Sequence, residues 1–136
     1  MPQSSASKDE IQSARAPSQN LFQQLYIDPS NDTSTLAQIR LAEKAGFKAL
    51  ILTVDSAADG NRHRAARYGV GSADTAYSSI TWAKYNWMRN QTRLPIVPKG
   101  IQTVEDAIRA TEERVPAIYL SNHGMLACDT TIENHN

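Results

Sequence analysis

Ser121-Asn122-His123-Gly124 closes a short apolar run, Ile118-Tyr119-Leu120, so a hydroxyl, an amide and an imidazole stand where a buried strand would surface. An imidazole at the C-terminal end of a parallel strand is well placed to act as a base. His123 is therefore the first candidate for proton transfer, and its plain alternative is a loop histidine with no chemistry. Three upstream apolar runs also end in polar groups: Leu21 to Tyr26, Ala49 to Asp55 and Leu94 to Lys99. Taken alone, Lys99 reads as a solvated loop lysine and Asp55 as a strand-end carboxylate capping a turn. Together the four runs predict consecutive strands of a parallel sheet that present functional groups at one end.

The stretches between these runs must return the chain to the start of each next strand. Ser7 to Ala14 predicts a short helix, with Ser7 as N-cap and Glu10 three residues on, and Ala16-Pro17-Ser18-Gln19-Asn20 breaks it. Asp32 to Ala45 has Leu36, Ile39 and Ala42 at helical spacing, and Gly46 suits the left-handed position past the helix end. Phe47 to Val54 is nearly unbroken apolar sequence, the pattern of a strand buried on both faces. Ser79 to Asn90 predicts a second long helix with Ile80, Ala83 and Trp87 inward; Trp82, Tyr85 and Trp87 are read as helix packing. Thr103, with Asp106 three residues later, opens a third, whose inner face is Val104, Ala107, Ile108 and Thr111 and which Pro116 stops. Gly60 to Arg67 reads as a basic loop or short helix, and Gly69 to Ala76 as a small, polar loop. The alternation of strand and helix predicts the α/β class.

Composition narrows the function classes. The chain has 136 residues, short of the ~250 of a complete (β/α)8 barrel. Acidic and basic residues balance at 14 each, so neither nucleic acid nor an anionic membrane is an expected partner. The Arg62-His63-Arg64 and Arg67 cluster is expected to be a solvated face. Cys128 is the single cysteine; it permits no internal disulfide, has no metal-ligand spacing around it, and fits a reducing compartment. The first twenty residues lack the apolar core of a signal peptide, and no run reaches the ~20 apolar residues of a membrane span. A cytoplasmic location is the expectation.

Four motifs carry a family resemblance: Gln24-Leu25-Tyr26; Ala45-Gly46-Phe47-Lys48-Ala49 through Thr53-Val54-Asp55; Leu94-Pro95-Ile96-Val97-Pro98-Lys99-Gly100-Ile101-Gln102-Thr103; and Leu120-Ser121-Asn122-His123-Gly124. In this order and spacing the chain resembles the FMN-dependent α-hydroxy acid dehydrogenases and oxidases, such as glycolate oxidase and the flavin domain of cytochrome-coupled L-lactate dehydrogenase. The resemblance implies an FMN cofactor, a small 2-hydroxy acid substrate such as L-lactate, and a partial (β/α)8 barrel corresponding to about strands three to six. It places Gln24, Thr53, Lys99 and Ser121 against the flavin ring, where an ammonium would stabilise the negative charge of a reduced ring. Tyr26 and Arg62 would touch the substrate, His123 would be the base, and Asp55 would orient the imidazole and stabilise its protonated form.

The resemblance breaks after Gly124. The family continues Gly-Arg-Gln-Leu-Asp, and this chain has Met125-Leu126-Ala127-Cys128-Asp129. Leu126 thus stands where an arginine would hold the substrate carboxylate; charge-assisted bonds of that kind contribute ~1.5–3 kcal/mol each. A shifted reading frame or a misplaced exon end would produce such a break. Pro98 brings a missing donor to a central strand, and Arg114-Val115-Pro116-Ala117 replaces a glycine-containing turn. The sequence thus divides into a polar segment (1–20), a partial dehydrogenase barrel (21–124) and a divergent tail (125–136). The resemblance also implies that the first strands, which cover one flavin face, and the last two, which hold the flavin phosphate, lie outside this sequence. Two readings stay open: an FMN-dependent oxidation of 2-hydroxy acids, and a truncated, non-catalytic remnant that binds no FMN and is inactive alone. In either, exposed sheet edges are expected to drive self-association or poor solubility.

Overall fold

A computed structural model describes residues 8–55 and 80–122. Four helices and four strands alternate through them: α1 (Lys8–Ser13), β1 (Phe22–Leu25), α2 (Asp32–Lys44), β2 (Ala49–Thr53), α3 (Trp82–Arg89), β3 (Ile96–Ile101), α4 (Val104–Glu112) and β4 (Tyr119–Leu120). The strands form one parallel sheet in sequence order, β1-β2-β3-β4. The predicted α/β class and strand order are thus present.

Local chemistry starts and stops the helices where the sequence places these signals. The Asn31 side chain accepts from the Ser34 N–H at 2.9 Å and caps α2. Gly46 follows α2 with φ +72°, a conformation that costs a residue with a Cβ ~1 kcal/mol or more. Thr81 caps α3. Thr103 caps α4 by accepting from the Asp106 N–H at 3.1 Å, while its hydroxyl donates to the Asp106 carboxylate at 3.0 Å. The signals for α1, Ser7 and the first residues, lie outside the described residues.

The core fills the space between the sheet and its helices. Leu25, Leu50, Leu52 and Ile96 point from the sheet to meet Ile39 and Ala42 of α2 and Tyr85 and Met88 of α3. The Tyr85 hydroxyl donates to the Ile96 carbonyl at 3.0 Å, and burial pushes its pKa up.

Two expected helix faces are corrected. In α3 the buried residues are Tyr85 and Met88; Ala83 is exposed and Trp87 only half-buried. The helix is rolled so that Tyr85 and Met88 reach the core, with Ile80, Trp82 and Trp87 packed against it partly buried. In α4 only Ala110 is buried, whereas Val104 and Ile108 are 71% and 56% exposed and Thr111 is also exposed. The apolar stripe of α4 is real, but no described element lies against it.

The third strand starts two residues later and ends two residues further than the run Leu94 to Lys99. The register Thr53↔Lys99 carries it past Lys99 to Ile101. Pro98 is accommodated by that register. Leu50 N–H donates to the Pro95 carbonyl and Val54 N–H to the Lys99 carbonyl, so the odd-numbered residues of β3 turn their backbone groups to β2. The Pro98 nitrogen therefore faces the β4 side, where pairing begins only at Lys99↔Tyr119, and no ladder bond is lost.

Candidate functional site

Side chains alternate across a strand, so the register sorts the sheet into two faces. Leu25, Leu50, Leu52, Ile96 and Pro98 share the helix-facing side. Phe22, Gln24, Ala49, Ile51, Thr53, Val97 and Lys99 share the other. On that second face the apolar residues occupy the start of the strands and the polar ones the end. This pattern brings Gln24, Thr53 and Lys99 together from three adjacent strands.

The Gln24 amide nitrogen donates to the Thr53 hydroxyl at 3.1 Å and to the Tyr26 hydroxyl at 3.2 Å. Its amide oxygen is buried and has no hydrogen-bond partner among the described residues. A buried acceptor left unsatisfied costs ~1–3 kcal/mol, and such an atom in a native fold calls for an explanation. Lys99 is 8% exposed, and among the described residues no carboxylate or hydrogen-bond acceptor pairs with its ammonium.

Asp55 follows β2 and is positioned by a backbone feature the sequence reading passed over. Gly100 has φ +113°, and a Cβ built on it would lie 2.3 Å from the Asp55 Cγ. No other residue type leaves room for the carboxyl group there. The signal was present in the sequence as the glycine directly after Lys99. Ser121 lies just past β4, partly buried. His123, Arg62, Leu126 and Cys128 lie outside the described residues.

The arrangement offers one buried acceptor, two hydroxyls and one ammonium at the end of an otherwise apolar face. That donor and acceptor set suits a flat heteroaromatic ring with an N–H on one edge and an electron-rich carbonyl edge. A separate cavity of about 160 Å³ lies behind the sheet, lined by Leu52, Val54, Trp82, Tyr85, Pro98 and Ile101 among others. Gln24, Tyr26, Thr53, Asp55, Lys99 and Ser121 do not line it. Among the described residues no cluster of His, Cys, Asp and Glu is able to hold a metal ion, and no helix is long and apolar enough to cross a membrane.

Comparison with known proteins identifies the family. The family model described as FMN-dependent dehydrogenase matches residues 1–74 and 71–134. A peroxisomal (S)-2-hydroxyacid oxidase of Arabidopsis thaliana is 34% identical over 134 residues, covering 79% of this chain and 37% of the oxidase. The cytochrome L-lactate dehydrogenase of Wickerhamomyces anomalus is 31% identical, covering 93% of this chain and 26% of that enzyme. Among solved structures, a flavocytochrome b2 variant with sulfite bound superposes with a TM-score of 0.77 at 37% identity, over 88% of this chain and 31% of that one. A mandelate oxidase variant with (S)-mandelic acid superposes at 0.70 and 36% identity, over 89% and 37%. The chain thus spans about a third of the length of these relatives, and its four-stranded sheet is part of a (β/α)8 barrel. By its motifs, its sheet and the extent of the family match, the chain belongs to the FMN-dependent dehydrogenases.

Proposed function

We propose that this chain carries the ring-facing part of an FMN site that serves the oxidation of small 2-hydroxy acids. The observation that carries the reading is the buried Gln24 amide oxygen, which has no partner among the described residues, together with the largely buried Lys99 two strands away at the same end of the inner face. Both fit FMN. The amide oxygen would accept from the ring N–H, and the ammonium would sit at the edge where negative charge develops. Thr53 and Ser121 would complete the polar edge. FMN, when bound, supplies the two-electron acceptor.

The remaining roles belong to the chain's own side chains. Tyr26, held by the Gln24 amide, would contact the substrate, with Arg62 near its carboxylate. His123 would take the proton from the α-hydroxyl group. Asp55 would orient that imidazole and favour its protonated form, and a base held in one orientation by a carboxylate is the usual arrangement for such a step. The seat that Gly100 gives Asp55 supports its part in the pair.

The test is a titration of FMN and of riboflavin by fluorescence quenching, with wild type, Gln24→Leu and Lys99→Met. We expect saturable quenching by the wild type, weakened about tenfold or more by either substitution, the loss of one or two hydrogen bonds to a charged or polar edge. Equal affinity in all three proteins would contradict the assignment.

A second reading rests on Leu126, which stands where the resemblance has a carboxylate-binding arginine. In that reading the chain is a non-catalytic remnant. Flavin binding without 2-hydroxy acid oxidation, restored by Leu126→Arg in a chain that supplies the remaining barrel, would separate a substrate-binding defect from a dead site.

A further inference from the structure

The pairing of β3 with β4 changes step: Lys99 registers with Tyr119, and Ile101 with Leu120. Gly100, at φ +113°, is the extra residue on β3. This is a β-bulge, a feature that re-aims side chains beside functional sites. Strict alternation would turn Ile101 to the face of Lys99. Ile101 is instead 5% exposed and lines the cavity behind the sheet with Leu52 and Pro98. On β4 no residue is inserted, so Tyr119 shares the face of Lys99 and Leu120 the face of Ile101. Tyr119, in the sequence only part of an apolar run, therefore stands on the inner face in the same row as Thr53 and Lys99.

That row sets a short, stiff side chain, a long flexible one and a flat ring on three adjacent strands. Neighbouring strands lie ~4.8 Å apart, so side chains in register on one face run alongside each other. Thr53 is 1% exposed and accepts from the Gln24 amide at 3.1 Å, and its β-branch restricts it further. It forms a fixed neighbour on the β2 side. Tyr119 stands on the β4 side, and a tyrosine ring turns about fewer bonds than a lysine stem. A lysine free to turn about all its bonds spreads its charge over many positions and loses that freedom on meeting a ligand. A stem held between two walls arrives with its charge already aimed.

We propose that Tyr119 is a positioning residue for Lys99: its ring and Thr53 form the two sides of a slot that directs the Lys99 ammonium to the ligand edge at the strand ends. The ring supplies the wall and the phenol hydroxyl is dispensable, so phenylalanine serves at this position and alanine does not. The slot is a property of the chain's own side chains. Its use rests on the proposal that Lys99 meets FMN.

Two measurements on the 136-residue chain test it. The first is the mobility of the Lys99 ε-methylene, by NMR relaxation of isotope-labelled lysine without flavin, in wild type, Tyr119→Phe and Tyr119→Ala. We expect the same restricted motion in wild type and Tyr119→Phe, and a clear rise in motion in Tyr119→Ala. Unchanged motion in Tyr119→Ala would overturn the proposal whatever the chain does with flavin. The second is FMN affinity by fluorescence quenching, for Tyr119→Ala alone and combined with Lys99→Met. Alone it should weaken binding about threefold; beside Lys99→Met it should change nothing further. An equal loss in both backgrounds would mean that Tyr119 acts on the ligand or the fold directly, and overturns the proposal, as does no loss with Lys99 present. A wild type that binds no FMN sinks the flavin assignment alone, and the Lys99 motion still decides the slot. Circular dichroism establishes that each variant is folded, and Tyr119→Ser replaces Tyr119→Ala if that variant is not.

Discussion

Lys99 and Gly100 are adjacent and do opposite things to the fold. Lys99 brings an ammonium to the end of a buried strand, and most of its stem is taken out of water. Lys99→Met keeps the length and apolar stem and should raise resistance to urea by about 1 kcal/mol while weakening flavin binding. A drop in stability on that substitution would mean the ammonium has a structural partner and would remove the strongest argument for a ligand there. Gly100 is tied to Asp55 by contact. Gly100→Ala requires both φ +113° and a Cβ 2.3 Å from the Asp55 Cγ, and should cost about 2–4 kcal/mol through strain and overpacking. A measured loss under about 0.5 kcal/mol would show that Asp55 moves freely. Gln24, Thr53 and Lys99 were singled out in the sequence by the family resemblance; the apolar runs alone placed them near strand ends and read Lys99 as a solvated lysine, whereas it is 8% exposed. The significance of Gly100 was not, since a glycine's φ and the carboxyl group beside it emerge only when β2 and β3 are in register.

At the scale of elements, caps and turns read more clearly than faces. Gly46, Thr103 and the stop at Pro116 stand where the sequence places them. Arg114 takes φ +54° in the turn after α4, a position that favours glycine. Arg114→Gly should therefore raise the unfolding free energy by about 0.5–1 kcal/mol, read as a shift of the urea midpoint at unchanged slope; a lower midpoint would mean that the arginine stem contributes more than its backbone costs. Acid should loosen the joint between α2 and the segment before β3. The Thr92 hydroxyl donates to the Glu43 carboxylate at 2.6 Å, and Arg40 pairs with it at 2.8 Å, which together hold its pKa below the usual carboxylate value. A depressed folded-state pKa gives stability that is complete above the ordinary carboxylate range and is lost as pH falls through the lowered value. Urea midpoints between about pH 6 and about pH 3 should fall less steeply for Glu43→Gln than for wild type, and identical profiles would contradict this. The rotations of α3 and the outward stripe of α4 were not legible. Periodicity identifies an apolar face but not what, if anything, covers it, and in α3 two candidate stripes compete until the sheet selects Tyr85 and Met88.

For the whole molecule, four parallel αβ units were legible because every strand is an apolar run of the right length between helical patterns. The described sheet is part of a barrel, so one of its faces is the barrel's interior; Phe22, Tyr119 and Leu120 are exposed at its two edges. The same fact links the fold to the site: the face that would be the barrel interior is also the face that carries Gln24, Thr53 and Lys99. The names of the relatives place some of them in peroxisomes and give others a cytochrome partner, while the expected cytoplasmic location of this chain rests on composition alone. The most direct test of the flavin assignment is a visible absorption scan of the purified chain after incubation with FMN and gel filtration. We expect a flavin band to travel with the protein peak, and to be lost from the Lys99→Met peak. A folded wild-type chain that elutes colourless would contradict the central claim, leaving the motifs as a mark of ancestry without a working flavin site.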